Sequence, residues 1–340
     1  MSYKSVQGEE INPFIPKHAE DPALYYKHQL RTDNRTVFLL LLAFFALQNI
    51  AASIVMLVQF FVAGGLNVML SSISSGDPLT DAMHLLNSLP GGTGIPMIVG
   101  VIVGTPIFFL LRGKRLITTD ITASNRPMTL FIFIALFLTA QAFQTVDILF
   151  SFITDTVFSG TDFSPSESYQ SSASVALSDP TGLLYAMLIG PFCEELVFRG
   201  AILKTLEKYG GNYAIVVSSM IFGLYHVFLL QAIFAFLVGI LLAYTARTYA
   251  FRWSVLLHVL INSSAILLDY AFSDFVSSLI FAGIFVLATV IVIKQRSTII
   301  DAVTSGRPQA PLTWKYAFSA PAMLIFLAIA AAASIGMMFF

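Results

Sequence analysis

Charge is scarce in this chain. Asp, Glu, Lys and Arg make up 11% of its 340 residues, against about 25% in an ordinary soluble domain, which leaves too little charge to coat a globule in water. With 57% apolar residues beside it, the solvent implied is lipid. Cysteine is nearly absent: Cys193 alone excludes an intramolecular disulfide framework and a cysteine-rich metal site, so chemistry falls to carboxylates, imidazoles and hydroxyls. A thiol in such apolar surroundings is a poor nucleophile. The net charge of −1 carries no sign of nucleic acid, and no such partner is expected. The first 35 residues lack the short apolar core and small-residue cleavage pattern of a secretory signal and read as a polar tail. There is no Gly-rich phosphate loop and no internal repeat. A transporter built from inverted repeats would interrupt matching spans with Gly or Pro, but Gly94 and Pro96 do not sit in the same context as Gly190-Pro191.

What the chain has in quantity is long apolar runs. A helix needs about 20 residues to cross roughly 30 Å of hydrocarbon. Nine runs are long enough, near 36–63, 94–112, 129–153, 182–206, 213–230, 232–250, 253–270, 275–293 and 317–340, so the expected fold is an all-α polytopic transmembrane bundle of about nine spans, eight to ten. Its regions are a cytoplasmic polar tail (1–35), a three-helix N-terminal membrane region (36–153), a core (182–270) and a two-helix C-terminal membrane region (275–340). Lys and Arg support the count. Lys27, Arg31 and Arg35 precede the first span. Arg112, Lys114, Arg115 and Arg126 follow the second, Lys204 and Lys208 the fourth, Arg247 and Arg252 the sixth, and Lys294, Arg296, Arg307 and Lys315 the eighth. The alternate loops have none, which is the positive-inside asymmetry. It predicts a cytoplasmic N-terminus, long outer loops at 64–93 and 154–181 with the Ser- and Gly-rich composition of turns, and Phe340 outside. The cell membrane is the expected location.

The charges inside the spans are the informative ones. Among 18 basic and 19 acidic residues, Asp147, Glu194, Glu195 and Arg199 lie well within a span, and three of the four share one helix. Each costs about 2.5–3.5 kcal/mol near a helix centre. Glu195 and Arg199, four apart, face the same way and predict an ion pair; Glu194, one position earlier, points about 100° away and is left for another task. Asp147, with Gln144 near the outer end of its span, reads as an interfacial polar group. Of five His, His226 and His258 alone fall in spans. His258 and Asn262 share a helical face. At 1.5 Å per residue Glu194 and Asn262 lie about 15 Å from the cytoplasmic edge, His226 near 20 Å and His258 near 9 Å. Pro191 removes one intrahelical hydrogen bond and disturbs the carbonyl of Met187, a kink that would open a water-filled cavity beside Glu194.

Glu194-Glu195-Leu196-Val197-Phe198-Arg199, then Phe222 with His226, then His258 with Asn262 resemble three ordered motifs, Glu-Glu-x-x-x-Arg, Phe-x-x-x-His and His-x-x-x-Asn, of the CAAX-processing and bacteriocin-processing (CPBP, or Abi) intramembrane protease family. The resemblance covers about 182–270. It implies hydrolysis of a peptide bond in a membrane-embedded site open to the cytoplasm. Glu194 would be the general base with His226 as its partner on water, His258 and Asn262 would donate to the oxyanion, Glu195 and Arg199 would form a supporting ion pair, and Phe222 would pack the motif. A carboxylate withdrawn from water suits the base's task, and oriented donors stabilise developing charge there. Two cofactor readings stand side by side: none, or Zn²⁺ held by Glu194, His226 and His258. The partners implied are membrane lipid, a peptide or protein substrate that can carry a lipid, and in principle another membrane protein. The alternative reading is a non-catalytic scaffold, regulator or bacteriocin self-immunity protein; an ion- or proton-coupled transporter is the weakest.

Overall fold

The structure is a computed structural model that describes residues 3–4, 10–11, 22–73, 77–161, 179–304 and 321–336, with single positions 164, 166, 167, 170, 173, 174, 177, 313 and 316. His18 and most of the tail, the centre of the 154–181 loop and Phe340 lie outside the described residues. The chain is an all-α polytopic bundle and an integral membrane protein. Six of its described helices are long and apolar enough to cross a membrane: Leu24–Val62 within α1 (Pro22–Val62), α4 (Gly94–Arg112), α5 (Leu130–Phe158), α8 (Leu229–Thr248), α9 (Phe251–Ala271) and α10 (Asp274–Lys294). The short helices α2 (Gly65–Ser72) and α3 (Pro78–Ser88) lie between the first two. The α6 helix, residues 180–206, precedes α7 (Gly211–Tyr225), and α11 (Arg296–Thr304) and α12 (Pro321–Gly336) close the chain.

Three expected boundaries need correction, and one helix proves irregular. The first helix begins at Pro22 rather than near 36, because Tyr26, Leu30, Asn34, Val37, Phe38, Leu41 and Phe44 form one buried stripe that carries the helix below the apolar run. The loop expected at 64–93 contains α2 and α3: Asp77 caps α3 by accepting from the Thr80 amide at 3.1 Å, Pro78 takes its first turn, and Ala82 and Leu86 pack on Phe60. The fifth apolar run stops at Tyr225 instead of reaching 230, since Val227 takes a left-handed φ of 63° and reverses the chain into α8. That conformation is strained for a β-branched residue. The fourth run is one continuous helix, but not a regular one: π-helical turns at Tyr185–Ile189 and Leu196–Leu203 interrupt it.

Two bundle ends can be told apart by their contacts. At one, Asp33 of α1 pairs with Lys208 at 2.5 Å and accepts from Tyr209, Arg112 clamps Asp120 through two 2.8 Å bonds, and the Asn125 amide donates to the Tyr249 carbonyl at 2.8 Å. The basic loops after α4, α6 and α8 thus gather at the same end. At the other end the Asp179 carboxylate accepts from the amides of Thr181 (2.7 Å), Gly182 (3.1 Å) and Gly94 (3.4 Å) and from the Thr93 hydroxyl (2.9 Å). One side chain therefore caps the starts of both α4 and α6, and fixes where the glutamate helix enters the bundle.

The α7–α8 hairpin starts and returns at the basic end, and packs through small residues, as membrane helices do. A Cβ on Gly223 would lie 2.6 Å from the Ala232 carbonyl, and one on Gly239 3.1 Å from the Ser219 Cβ. That close approach brings α7 and α8 against the middle of α6.

Candidate active site

The two adjacent glutamates have different surroundings. Glu195 is fully buried, and both its oxygens are engaged: Oε1 lies 2.8 Å from Arg199 Nη1 and 3.0 Å from His258 Nδ1, and Oε2 accepts from the Ser254 hydroxyl at 2.5 Å. Arg199 also donates to the Gly239 carbonyl at 3.3 Å and stacks over the Phe222 ring at 4.2 Å. Ser254 lies on the same face of α9 as His258, one turn earlier, and bonds the Leu242 carbonyl as well, at 3.0 Å. Glu195 is thus the anionic centre of a dry network in which Arg199 and Ser254 are each also tied to a backbone carbonyl.

Glu194 has no such engagement. The His258 Nε2 lies 3.7 Å from its Oε2, beyond hydrogen-bond range, and the residue keeps 8% of its surface. It also lies within electrostatic reach of His226, Tyr185 and Tyr225. The expectation that Glu194 and Glu195 face different things is refined here: both reach one imidazole, from its two nitrogens. Because Nδ1 of His258 meets a carboxylate, Nδ1 carries the proton. His226 is fixed likewise, with Nδ1 2.8 Å from the Phe222 carbonyl, an acceptor only, so its Nε2 holds the lone pair in the neutral ring. The Phe222 ring meets both imidazoles edge-on, at 4.7 Å for His226 and 5.7 Å for His258. The α7 helix ends at Tyr225, so His226 sits at the turn of the hairpin and its greater depth is absorbed there.

Asn262 shows why α6 departs from regular helix. In the π turn the Gly190 amide donates to Tyr185, five residues back; continued in that register, the next carbonyl, Ala186, would look to residue 191, and Pro191 has no N–H. The Asn262 amide fills that place by donating to the Ala186 carbonyl at 3.1 Å. The carbonyl left over by the proline is therefore Ala186, not the Met187 expected from α-helical spacing. Asp147 is half-buried on α5, on a helix that supplies none of these groups.

Among the described residues no three His, Cys, Asp or Glu side chains are placed together to hold a metal ion. The Nδ1 atoms of both imidazoles are engaged, which leaves each Nε2 turned to the site, the nitrogen a metal-ligating histidine would also use.

A lipid-embedded helix bundle with two glutamates, two imidazoles and a buried arginine converging from α6, α7 and α9 is the class of protein these elements define. Residues 177–264 match the family model of the Rce1-like type II CAAX prenyl endopeptidases, so the stretch holding every residue of the site is an Rce1-like domain of the CAAX protease family. No curated protein and no solved structure matches the chain. Ser254 is the site residue that motif reading missed; Ser254, His258 and Asn262 repeat every four residues, and that period was the available signal.

Proposed function

We propose that this chain is an intramembrane endopeptidase in which Glu194 is the general base. The observation that carries the reading is the contrast between a glutamate committed to three partners and its neighbour, buried yet uncommitted, facing two imidazoles. In the reaction, water held between Glu194 and the His226 Nε2 lone pair attacks the scissile carbonyl carbon while Glu194 takes its proton. The oxyanion is met by Asn262, whose second amide hydrogen is not used by Ala186, and by His258 Nε2, which donates when the ring is protonated and Glu195 balances its charge. As the C–N bond breaks, Glu194 returns the proton to the leaving amine. Glu195, Arg199 and Ser254 position His258 and do not touch the substrate.

The name of the matching family, type II CAAX prenyl endopeptidase, supports a prenylated peptide as the substrate class. The gathering of Lys and Arg at one bundle end supports a cytoplasmic N-terminus and a site entered from that side. The test is cleavage of a quenched prenylated peptide by the purified full chain in detergent, with and without a chelator. The reading expects turnover that the chelator leaves intact. Loss on chelation with recovery on added zinc would reinstate the metal mechanism, and a folded but inert protein would favour the scaffold reading.

A further inference from the structure

On another face of α8, away from the glutamates, lies a groove of ≈ 1010 Å³ between α5, α7, α8 and α10 at the basic end of the bundle. That volume would hold a large amphiphile. Its walls are aliphatic and aromatic, with Phe131 and Ile132 of α5, Ile215 of α7, Ile240 of α8 and Ile291 of α10 among them. Its mouth is cationic. Lys204 and Arg247 share the single carboxylate of Glu207, at 3.2 and 3.5 Å, and Arg126 stands at the same mouth with no carboxylate partner among the described residues. Three cations thus face one anion.

The placement of these cations is built into the backbone. Ser124 bridges to Ala250, and the Asn125 side chain donates to the Arg247 carbonyl at 2.6 Å, which ties the loop carrying Arg126 to the end of α8. Arg247 reaches across Gly211 so closely that a Cβ there would lie 2.3 Å from its Cζ. A cleft that is apolar in depth, net positive at the rim and set at the basic end of a membrane-spanning bundle is complementary to a lipid with an anionic head.

We propose that this groove holds one anionic phospholipid from the leaflet at the basic end, with its phosphate at Arg126 and Arg247 and an acyl chain against Ile132, Ile240 and Ile291. The lipid fills the seam between the outer pair α5 and α10 and the α7–α8 hairpin, and so braces the hairpin that carries Phe222 and His226. The inference does not depend on the peptidase reading, because nothing in its test involves cleavage.

The full chain in detergent would be titrated with dioleoyl phosphatidylglycerol, dioleoyl phosphatidylcholine or glycerol 3-phosphate, following retained lipid by native mass spectrometry and unfolding by thermal melts. The proposal expects one phosphatidylglycerol per chain held about tenfold or more tightly than phosphatidylcholine, a rise in melting temperature with it, and no effect of glycerol 3-phosphate, which lacks the chains. Arg126→Gln, at an exposed loop position, should weaken phosphatidylglycerol about fivefold, and Ile240→Trp should block the chain while leaving the rim intact. Equal retention of the two lipids, or no effect of either variant, would leave only annular lipid and overturn the proposal. So would one-for-one displacement of phosphatidylglycerol by a prenylated peptide, since the groove would then belong to the substrate.

Discussion

The α7–α8 hairpin and the α5–α10 pair are made from similarly apolar sequence yet are buried very differently. Half of the central window of α8 is buried, against 17% for α5 and 11% for α10. The hairpin meets its neighbours through Ser218, Ser219, Ala235, Gly239, Ala243 and Thr245, all buried, whereas α5 and α10 turn Leu149, Phe152, Phe275, Leu279 and Val286 outward. Hydropathy alone does not separate the two. In lipid, large apolar side chains gain nothing by leaving the solvent for the protein, so tight packing is made by small residues, and polar groups gather where the packing excludes lipid. The glutamate site sits there.

If that contrast is right, the largest loss of stability should follow from disturbing charge inside the packed core. Glu195→Gln would leave Arg199 without its anion in a dry site and should cost about 3–5 kcal/mol. Glu195→Leu combined with Arg199→Leu should recover a good part of it, which thermal melts of the three variants would show. Next comes Ser254→Ala, which removes one donor from a buried carboxylate. It should cost about 1.5–3 kcal/mol and reduce turnover by loosening His258, and a Ser254→Thr variant that restores both would separate positioning from bulk.

Smaller effects are expected at the bundle's edge. Partial burial pushes the Asp179 carboxyl up, but the hydrogen bonds from Thr181, Gly182 and Thr93 together outweigh it and hold it down at about 2. A carboxyl depressed in the folded state contributes stability that is present above the ordinary value of 3.8 and is lost as pH falls from there towards 2. Asp179→Ala should therefore cost about 0.5–2 kcal/mol at neutral pH, and its melting temperature should converge on that of the unaltered protein between pH 4 and about 2. The smallest effect belongs to the lipid face: Phe152→Ala on α5 should stay within about 0.5 kcal/mol in bilayer unfolding measurements, and a core-like loss there would break the comparison.

The sequence made some of this legible and some not. Among the described residues each apolar run is mostly helix, and six helices are long and apolar enough to cross a membrane, because length and hydropathy report transfer into lipid directly. The Glu195–Arg199 contact could be read because four-residue spacing on a helix is geometry. The reach of Glu195 to Ser254 and His258 could not, since it depends on how α9 is rotated against α6, and rotation is set by packing that one sequence does not display. Nor do π turns leave a periodicity to detect; Pro191 announced a broken hydrogen bond, but only the register at Tyr185 decided which carbonyl lost its partner and why Asn262 is aimed at Ala186. The helices α2 and α3 were hidden by Ser- and Gly-rich composition, although Asp77, Pro78 and Thr80 together were a helix start.

The central claim is that two neighbouring glutamates divide the work, one chemical and one structural. The most direct measurement compares Glu194→Gln with Glu195→Gln in the purified chain, recording peptidase turnover per folded molecule and melting temperature for each. The account predicts that Glu194→Gln lowers turnover by a factor on the order of 10² to 10⁴ with the melting temperature unchanged, while Glu195→Gln lowers the melting temperature first and foremost. A Glu194→Gln protein that melts early but keeps full turnover per folded molecule would contradict it.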